Sequence, residues 1–112
     1  MLDPKALLAL QEVMGGGRED LVELIADFLG EASGHLAVLA DPGAGAEALR
    51  RAAHTLKSNL RDLGALDLAE LCARLEHEAG PHGTATAAVP LAAAVLAGWP
   101  AVKQALQQEM AR

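Results

Sequence analysis

Residues 46–65 read AEALRRAAHTLKSNLRDLGA, and the apolar and charged side chains of this stretch fall on opposite sides of a helix. At about 100° per residue, Leu49, Ala52, Leu56, Leu60 and Leu63 share one side. The other side carries His54, and six polar residues lie within about 60° of it. These six are Glu47, Arg50, Arg51, Lys57, Ser58 and Arg61. The pattern predicts a helix that packs through its leucines and presents His54 to solvent.

Capping signals and helical spacing predict two helices before this one. Asp3 followed by Pro4 is typical of an N-cap and a first helical turn, and we expect this short helix to end near Met14. The glycine triplet 15–17 separates it from a second helix that should continue to about Leu39. The triplet lacks the Gly-Lys-Ser/Thr ending of a phosphate-binding loop, so we interpret it as a connector.

Two more helices are predicted on the other side of residues 46–65. Gly64 suits a left-handed C-cap, and Asp67 with Glu70 resembles a capping box that opens the fourth helix. A last helix should begin near Thr84 or Thr86 and end near Met110. We expect Pro90 to be tolerated near its start and Pro100 to kink or split it.

These elements predict an all-α fold, an up-and-down four-helix bundle with a short extra N-terminal helix. We expect residues 1–112 to form one domain, because this length is enough for a single core. Aromatic residues make up only 2% of the chain, so leucine, alanine and valine must build that core and deep pockets are disfavoured. The uncharged run 87–102 is shorter than the roughly 20 residues of a membrane span, and we interpret it as a mostly buried helix.

Charge and composition also narrow the function. The formal net charge of −6 argues against general nucleic-acid binding. The N-terminus does not resemble a signal peptide, so we expect a cytoplasmic protein. We also expect that it does not enter a membrane and that it is a monomer. The lone Cys72 is interpreted as a buried apolar residue. His77 and His82 flank Gly80-Pro81 without a third ligand at a recurring spacing, so we predict no metal site.

His54 is the residue that most suggests chemistry. A neutral, exposed imidazole among cations can act as a nucleophile towards a phosphoryl group, whose roughly two negative charges those cations would screen. No ATP-binding glycine loop or second catalytic histidine is recognisable. The sequence therefore predicts a phosphate carrier without a cofactor of its own, whose donor site belongs to another protein.

Three linked blocks of sequence resemble the histidine-containing phosphotransfer (HPt) domains of two-component phosphorelays. They are His54-Thr55-Leu56-Lys57, then Leu63-Gly64-Ala65, then Leu68-x-x-x-Cys72-x-x-Leu75-Glu76. The resemblance implies that His54 accepts the phosphoryl group and that Lys57 balances its charge. It also implies response-regulator receiver domains and a hybrid sensor histidine kinase as partners, with Mg²⁺ only in the receiver. We expect Arg50, Arg51, Ser58 and Arg61 to form the docking surface for a receiver.

Two alternatives to a relay protein stay open. Ser58 stands where the family pattern has a glycine, next to the expected docking surface, so the chain could be an adaptor that binds receivers without exchanging phosphate. The phosphoacceptor domain of a chemotaxis-type histidine kinase shares the bundle and the His-x-x-Lys-Gly core. The Leu-Gly-Ala block and Cys72 favour the relay type.

Overall fold

The computed structural model describes residues 2–112, and these residues are 80% helical with no strand. Five helices follow one another along them, which confirms the predicted all-α class. Their bounds are α1, Pro4–Val13; α2, Arg18–Ala40; α3, Ala46–Asp62; α4, Leu66–Glu78; and α5, Ala85–Met110.

The four longer helices form a closed bundle, and α1 lies at one side of it. Each of α2 to α5 packs against its neighbour in sequence, and α2 also packs against α5, which closes the ring. The short α1 contacts α2 and α3. This is the predicted up-and-down bundle with an extra N-terminal helix, elongated to 43 × 21 × 20 Å.

One apolar cluster runs through the bundle and draws side chains from all five helices. In α3, the residues Ala52, Leu56 and Leu60 are buried, as their spacing predicts. The single phenylalanine and tryptophan meet edge to face between α2 and α5, with the Phe28 and Trp99 ring centroids 5.8 Å apart. Apart from these two rings and Cys72, the core is aliphatic. Burial of leucines from the packed helices orients the helices around this core.

The turn between α3 and α4 explains the Leu-Gly-Ala block. Gly64 has φ +83°, a conformation that favours glycine, and a Cβ there would lie 2.8 Å from the backbone N and O of Asp3. The Asp3 N–H donates to the Gly64 carbonyl at 2.9 Å. The N-terminus is thereby attached to the end of the helix that carries His54, while the Asp3 side chain caps α1 as predicted.

The fourth helix begins earlier than its sequence suggests. Its N-cap is Ala65, which makes no side-chain capping bond, so the predicted capping box of Asp67 and Glu70 is wrong. The chain re-enters a helix directly after Gly64, because the Ala65 N–H donates to the Leu60 carbonyl at 2.8 Å and completes the turn. Asp67 lies instead in the first turn, where its charge complements the helix dipole.

Helix α5 departs from one expectation and narrows another. Pro100 was expected to kink or split the helix, and the split does not occur, because Pro100 lies inside one uninterrupted 26-residue helix. Only 22% of its most apolar 18-residue window is buried, so the expectation of a mostly buried helix is wrong. The reason is that α5 packs mainly on α2 and α4, which leaves an outer side rich in small apolar residues uncovered.

By length and composition alone, α5 could cross a membrane, since its most apolar window has a mean hydropathy of 1.6. No other helix among residues 2–112 meets those criteria. The core helix of a soluble protein can meet them as well, and α5 contributes Ala88, Ala92, Val95, Val102 and Leu106 to the bundle core.

A buried charge ties the end of α5 to the start of α2. The Glu109 carboxylate is 3.3 Å from Nη1 of Arg18 and 3.0 Å from Nη1 of Arg112. Arg18 also donates to the main-chain carbonyls of both residues. Because Glu109 is only 8% exposed, these bonds satisfy a carboxylate that would otherwise be costly to bury.

Candidate functional site

His54 lies near the middle of α3, on the side opposite the buried leucines. Its side chain is 56% exposed, whereas Leu56 and Leu60 are fully buried. Burial of those leucines sets the rotation of α3, and the rotation places the imidazole at the surface. The predicted exposure of His54 is therefore what the structure shows.

A carboxylate from the next helix holds the imidazole. Oε2 of Glu76, on α4, is 2.8 Å from Nδ1 of His54, and the other oxygen, Oε1, accepts from Nζ of Lys57 at 2.6 Å. The side chains of Lys57 and Glu76 are 19% and 20% exposed, so this pair is largely shielded from water. His54, Lys57 and Glu76 thus form one connected group, which we call the His54 triad.

The triad assigns different roles to the two ring nitrogens. An ionised carboxylate can only accept hydrogen bonds, so Nδ1 carries the proton that it donates to Glu76. In the neutral ring, the lone pair then resides on Nε2, and Nε2 is the nitrogen available to react. A carboxylate that orients a histidine by its other nitrogen is a common device for fixing the tautomer.

The charge of Glu76 supports this assignment. Partial burial raises the pKa of Glu76, but hydrogen bonds from Lys57 and His54 outweigh burial and hold the pKa below its ordinary value of 4.5. Glu76 is consequently ionised at neutral pH. A negative group therefore lies directly behind the ring, where it can compensate positive charge that develops on the imidazole.

The predicted basic surround of His54 is more balanced than the sequence suggested. Glu47 accepts from Arg50 at 2.6 and 2.9 Å and from Arg51 at 3.1 Å. The hydrogen bonds from Arg50, followed by that from Arg51, lower the pKa of this exposed carboxylate to about 2. The nearest charge to His54 is the carboxylate of Glu76 rather than a cation. The i,i+3 and i,i+4 spacing of Glu47 from the two arginines explains why they pair with it.

The other two residues of the predicted docking surface lie apart from the triad. Ser58 is exposed on α3, one turn after His54. Arg61 is exposed two turns away and lines a groove against α1 that also includes Leu10 and Val13. Among residues 2–112, Arg61 makes no ion pair. Lys57 is therefore connected to His54 through Glu76, whereas Ser58 and Arg61 form a separate exposed strip.

The remaining candidate residues do not assemble into a second centre. Within residues 2–112, no group of three or more histidine, cysteine, aspartate or glutamate side chains is placed to hold a metal ion. Cys72 is fully buried, and burial raises the pKa of its thiol to about 12, so it remains a protonated core residue at neutral pH.

Sequence reasoning missed the role of Glu76. It appears in the third block of the sequence pattern, but it is 22 residues from His54 on a different helix. Helical spacing relates only residues within one helix, so no periodicity could pair the two side chains. The available signal was that Leu75-Glu76 closes the third block of the same sequence pattern whose first block begins at His54.

The fold and this site define a class: a helical bundle that presents one exposed imidazole held by a carboxylate from the neighbouring helix. A family model described as Hpt domain matches residues 23–112, and the chain belongs to this family. Its members are phosphotransfer modules of two-component signalling that interact with response-regulator receivers, and they are phosphocarriers rather than catalytic enzymes. A search of curated proteins and a search of solved structures each returned no significant match.

Proposed function

We propose that this chain is a phosphorelay intermediate, in which His54 accepts a phosphoryl group from the phospho-aspartate of one receiver domain and passes it to another. The observation that carries the proposal is the exposed ring of His54 with Nδ1 held by Glu76 at 2.8 Å. That contact leaves Nε2 as the nucleophile and supplies a fixed orientation before the partner arrives.

The transfer step follows from this geometry. The Nε2 lone pair attacks the phosphorus of the acyl phosphate, an N–P bond forms, and the P–O bond to the aspartate breaks with its electrons leaving on the carboxylate. The ring then carries a proton on Nδ1 and a phosphoryl group on Nε2, and Glu76 compensates the positive charge of the ring. Attack by the aspartate of a second receiver reverses each of these bond changes.

The cations of α3 have separate tasks in this scheme. Lys57 lies one turn from His54 and can balance the charge of the phosphoryl group while keeping Glu76 in place. Arg50, Arg51, Ser58 and Arg61 would contact the receiver, and Mg²⁺ would be supplied by the receiver alone. We further propose that the chain acts in the cytoplasm as a monomeric domain of residues 1–112, with a hybrid sensor histidine kinase upstream.

Phosphotransfer from a receiver tests the proposal. Receiver domains carrying labelled phosphate should label the wild-type chain, and His54→Gln should abolish the label. His35→Gln is the matched control, because His35 lies on α2 outside the His54 triad, and this variant should be labelled like wild type. Label that persists undiminished in His54→Gln would contradict the assignment. Receivers that bind the wild-type chain without ever phosphorylating it would favour an adaptor.

A further inference from the structure

A groove opens beside the His54 triad at the end of α4. It has a volume of about 330 Å³, and its lining includes Arg50 from α3, Glu76 and His77 from α4, and Pro81 and His82 from the following turn. We call it the α4 groove. Because Glu76 belongs both to the groove and to the triad, the two are continuous.

The side chains that line the α4 groove offer several hydrogen-bond donors that are not yet paired. Both oxygens of Glu76 are already bonded, one to His54 and the other to Lys57. The Nε–H and one Nη2–H of Arg50 donate to Glu47, which leaves three of the five N–H groups of Arg50 free.

Two imidazoles add to these donors. His77 and His82 are exposed, and no hydrogen bond among residues 2–112 involves either ring. An imidazole offers at least one N–H donor in either protonation state. The best complement to Arg50 and these two rings is an acceptor with negative charge.

We infer that the α4 groove receives a carboxylate side chain of the receiver that docks over His54, and that Arg50, His77 and His82 thereby help to select the partner. This inference rests on the proposed phosphorelay function. Charge complementarity favours the carboxylate. Lys57 balances the charge of Glu76, and Glu47 alone faces both Arg50 and Arg51, so one positive charge remains unbalanced beside the groove. The groove is continuous with the triad, so a receiver docked over His54 lies next to Glu76 and Arg50. This receiver is therefore the protein that can reach the groove.

Transfer kinetics separate partner selection from chemistry. Arg50→Gln and the double variant His77→Ala/His82→Ala should raise the half-saturating concentration of a phosphorylated receiver about fivefold, the effect of losing about 1 kcal/mol of binding. The maximal transfer rate should stay close to that of wild type, because none of these residues bonds to His54. Added salt should reduce the difference between Arg50→Gln and wild type.

Matched controls use the same residue types at positions outside the groove. Arg74→Gln removes an equal charge from an exposed position of α4 outside the groove, and His35→Ala removes an imidazole from α2. Both should keep the half-saturating concentration of wild type, and circular dichroism should show that all variants are folded.

The outcomes distinguish this inference from the function on which it rests. Equal half-saturating concentrations for wild type, Arg50→Gln and the double histidine variant would overturn the α4 groove while leaving phosphotransfer intact. A fall in maximal rate alone would also overturn it. If the wild-type chain binds receivers but is never phosphorylated, the relay function fails. The groove is then tested by binding alone: the dissociation constant for the unphosphorylated receiver should be about fivefold higher in the groove variants than in wild type, and equal constants would overturn the groove.

Discussion

Helices α3 and α5 both contribute alanine and branched apolar residues to the core, yet they differ in what they expose to solvent. Helix α3 exposes charged residues, whereas α5 exposes mainly apolar ones. In α3, buried Leu56 and Leu60 stand opposite charged residues that surround His54. In α5, Lys103 and Glu109 are the only charged residues in 26, and apolar side chains lie on every side. The comparison shows that a sharp division between polar and apolar residues sets the rotation of a helix, whereas uniform apolarity leaves rotation to tertiary packing.

Truncation of apolar side chains tests this difference most strongly. Leu60→Ala in α3 should lower the free energy of unfolding by about 2–5 kcal/mol, because the site is fully buried. In α5, Val95→Ala at a fully buried position should cost about 1–3 kcal/mol, whereas Val89→Ala at a 65% exposed position should stay within about 0.5 kcal/mol. Urea denaturation measures all three. A cost at Val89 equal to that at Val95 would show that the outer side of α5 is covered in solution.

The turn that ends α3 offers the next largest effect. Gly64→Ala should destabilise the chain by about 1–3 kcal/mol, because the residue has a positive φ and its new Cβ would press on the backbone of Asp3. Gly34→Ala is the control: Gly34 lies within α2 with open space around it, so alanine there should stabilise by about 0.5–1 kcal/mol. Thermal or urea unfolding checks both, and equal effects would contradict the strained turn.

The pairing of α3 with α4 through Glu76 should appear in the pH dependence of stability. The folded state lowers the pKa of Glu76, so its contribution is fully present above pH 4.5 and is lost as the pH falls through the folded-state pKa. Glu76→Gln removes this contribution. The difference in free energy of unfolding between wild type and Glu76→Gln should therefore be largest near neutral pH and should decrease below pH 4.5.

Glu70→Gln is the control for this titration, because Glu70 lies on the same helix with an exposed side chain 3.7 Å from Arg74. It should show little difference from wild type at any pH, as exposed ion pairs contribute little. A difference for Glu76→Gln that stays constant from neutral to acidic pH would contradict a stabilising ionised triad.

The smallest effect is expected at Ser58 on the exposed side of α3. Ser58→Gly should cost about 0.5–1 kcal/mol of stability, because glycine is unfavourable within a helix. It should also speed phosphotransfer, since it removes a side chain from the surface that a receiver must cover. Ser33→Gly, at an exposed position of α2, should show a similar loss of stability without a change in transfer. If transfer is no faster in Ser58→Gly than in wild type, the Ser58 side chain does not hinder the approach of a receiver.

Local signals in the sequence predicted most helix boundaries and the orientation of α3. Asp3 caps α1, Gly64 ends the turn after α3, and His54 is exposed, all as spacing and capping chemistry indicated. These features depend on residues within a few positions of one another. The predicted start of α4 was wrong because the backbone there depends on other contacts. Gly64 contacts the distant Asp3, and Ala65 completes the preceding turn.

The sequence by itself determined an all-α chain with a polar side of α3 that carries His54, because helical periodicity and turn residues act over short distances. Only the tertiary structure decided which side of α5 is buried and which residue touches the imidazole. Glu76 reaches both His54 and Lys57 because α3 and α4 pack side by side. Contacts across 22 residues depend on how the helices assemble around the core, and no pattern within a single helix contains that information.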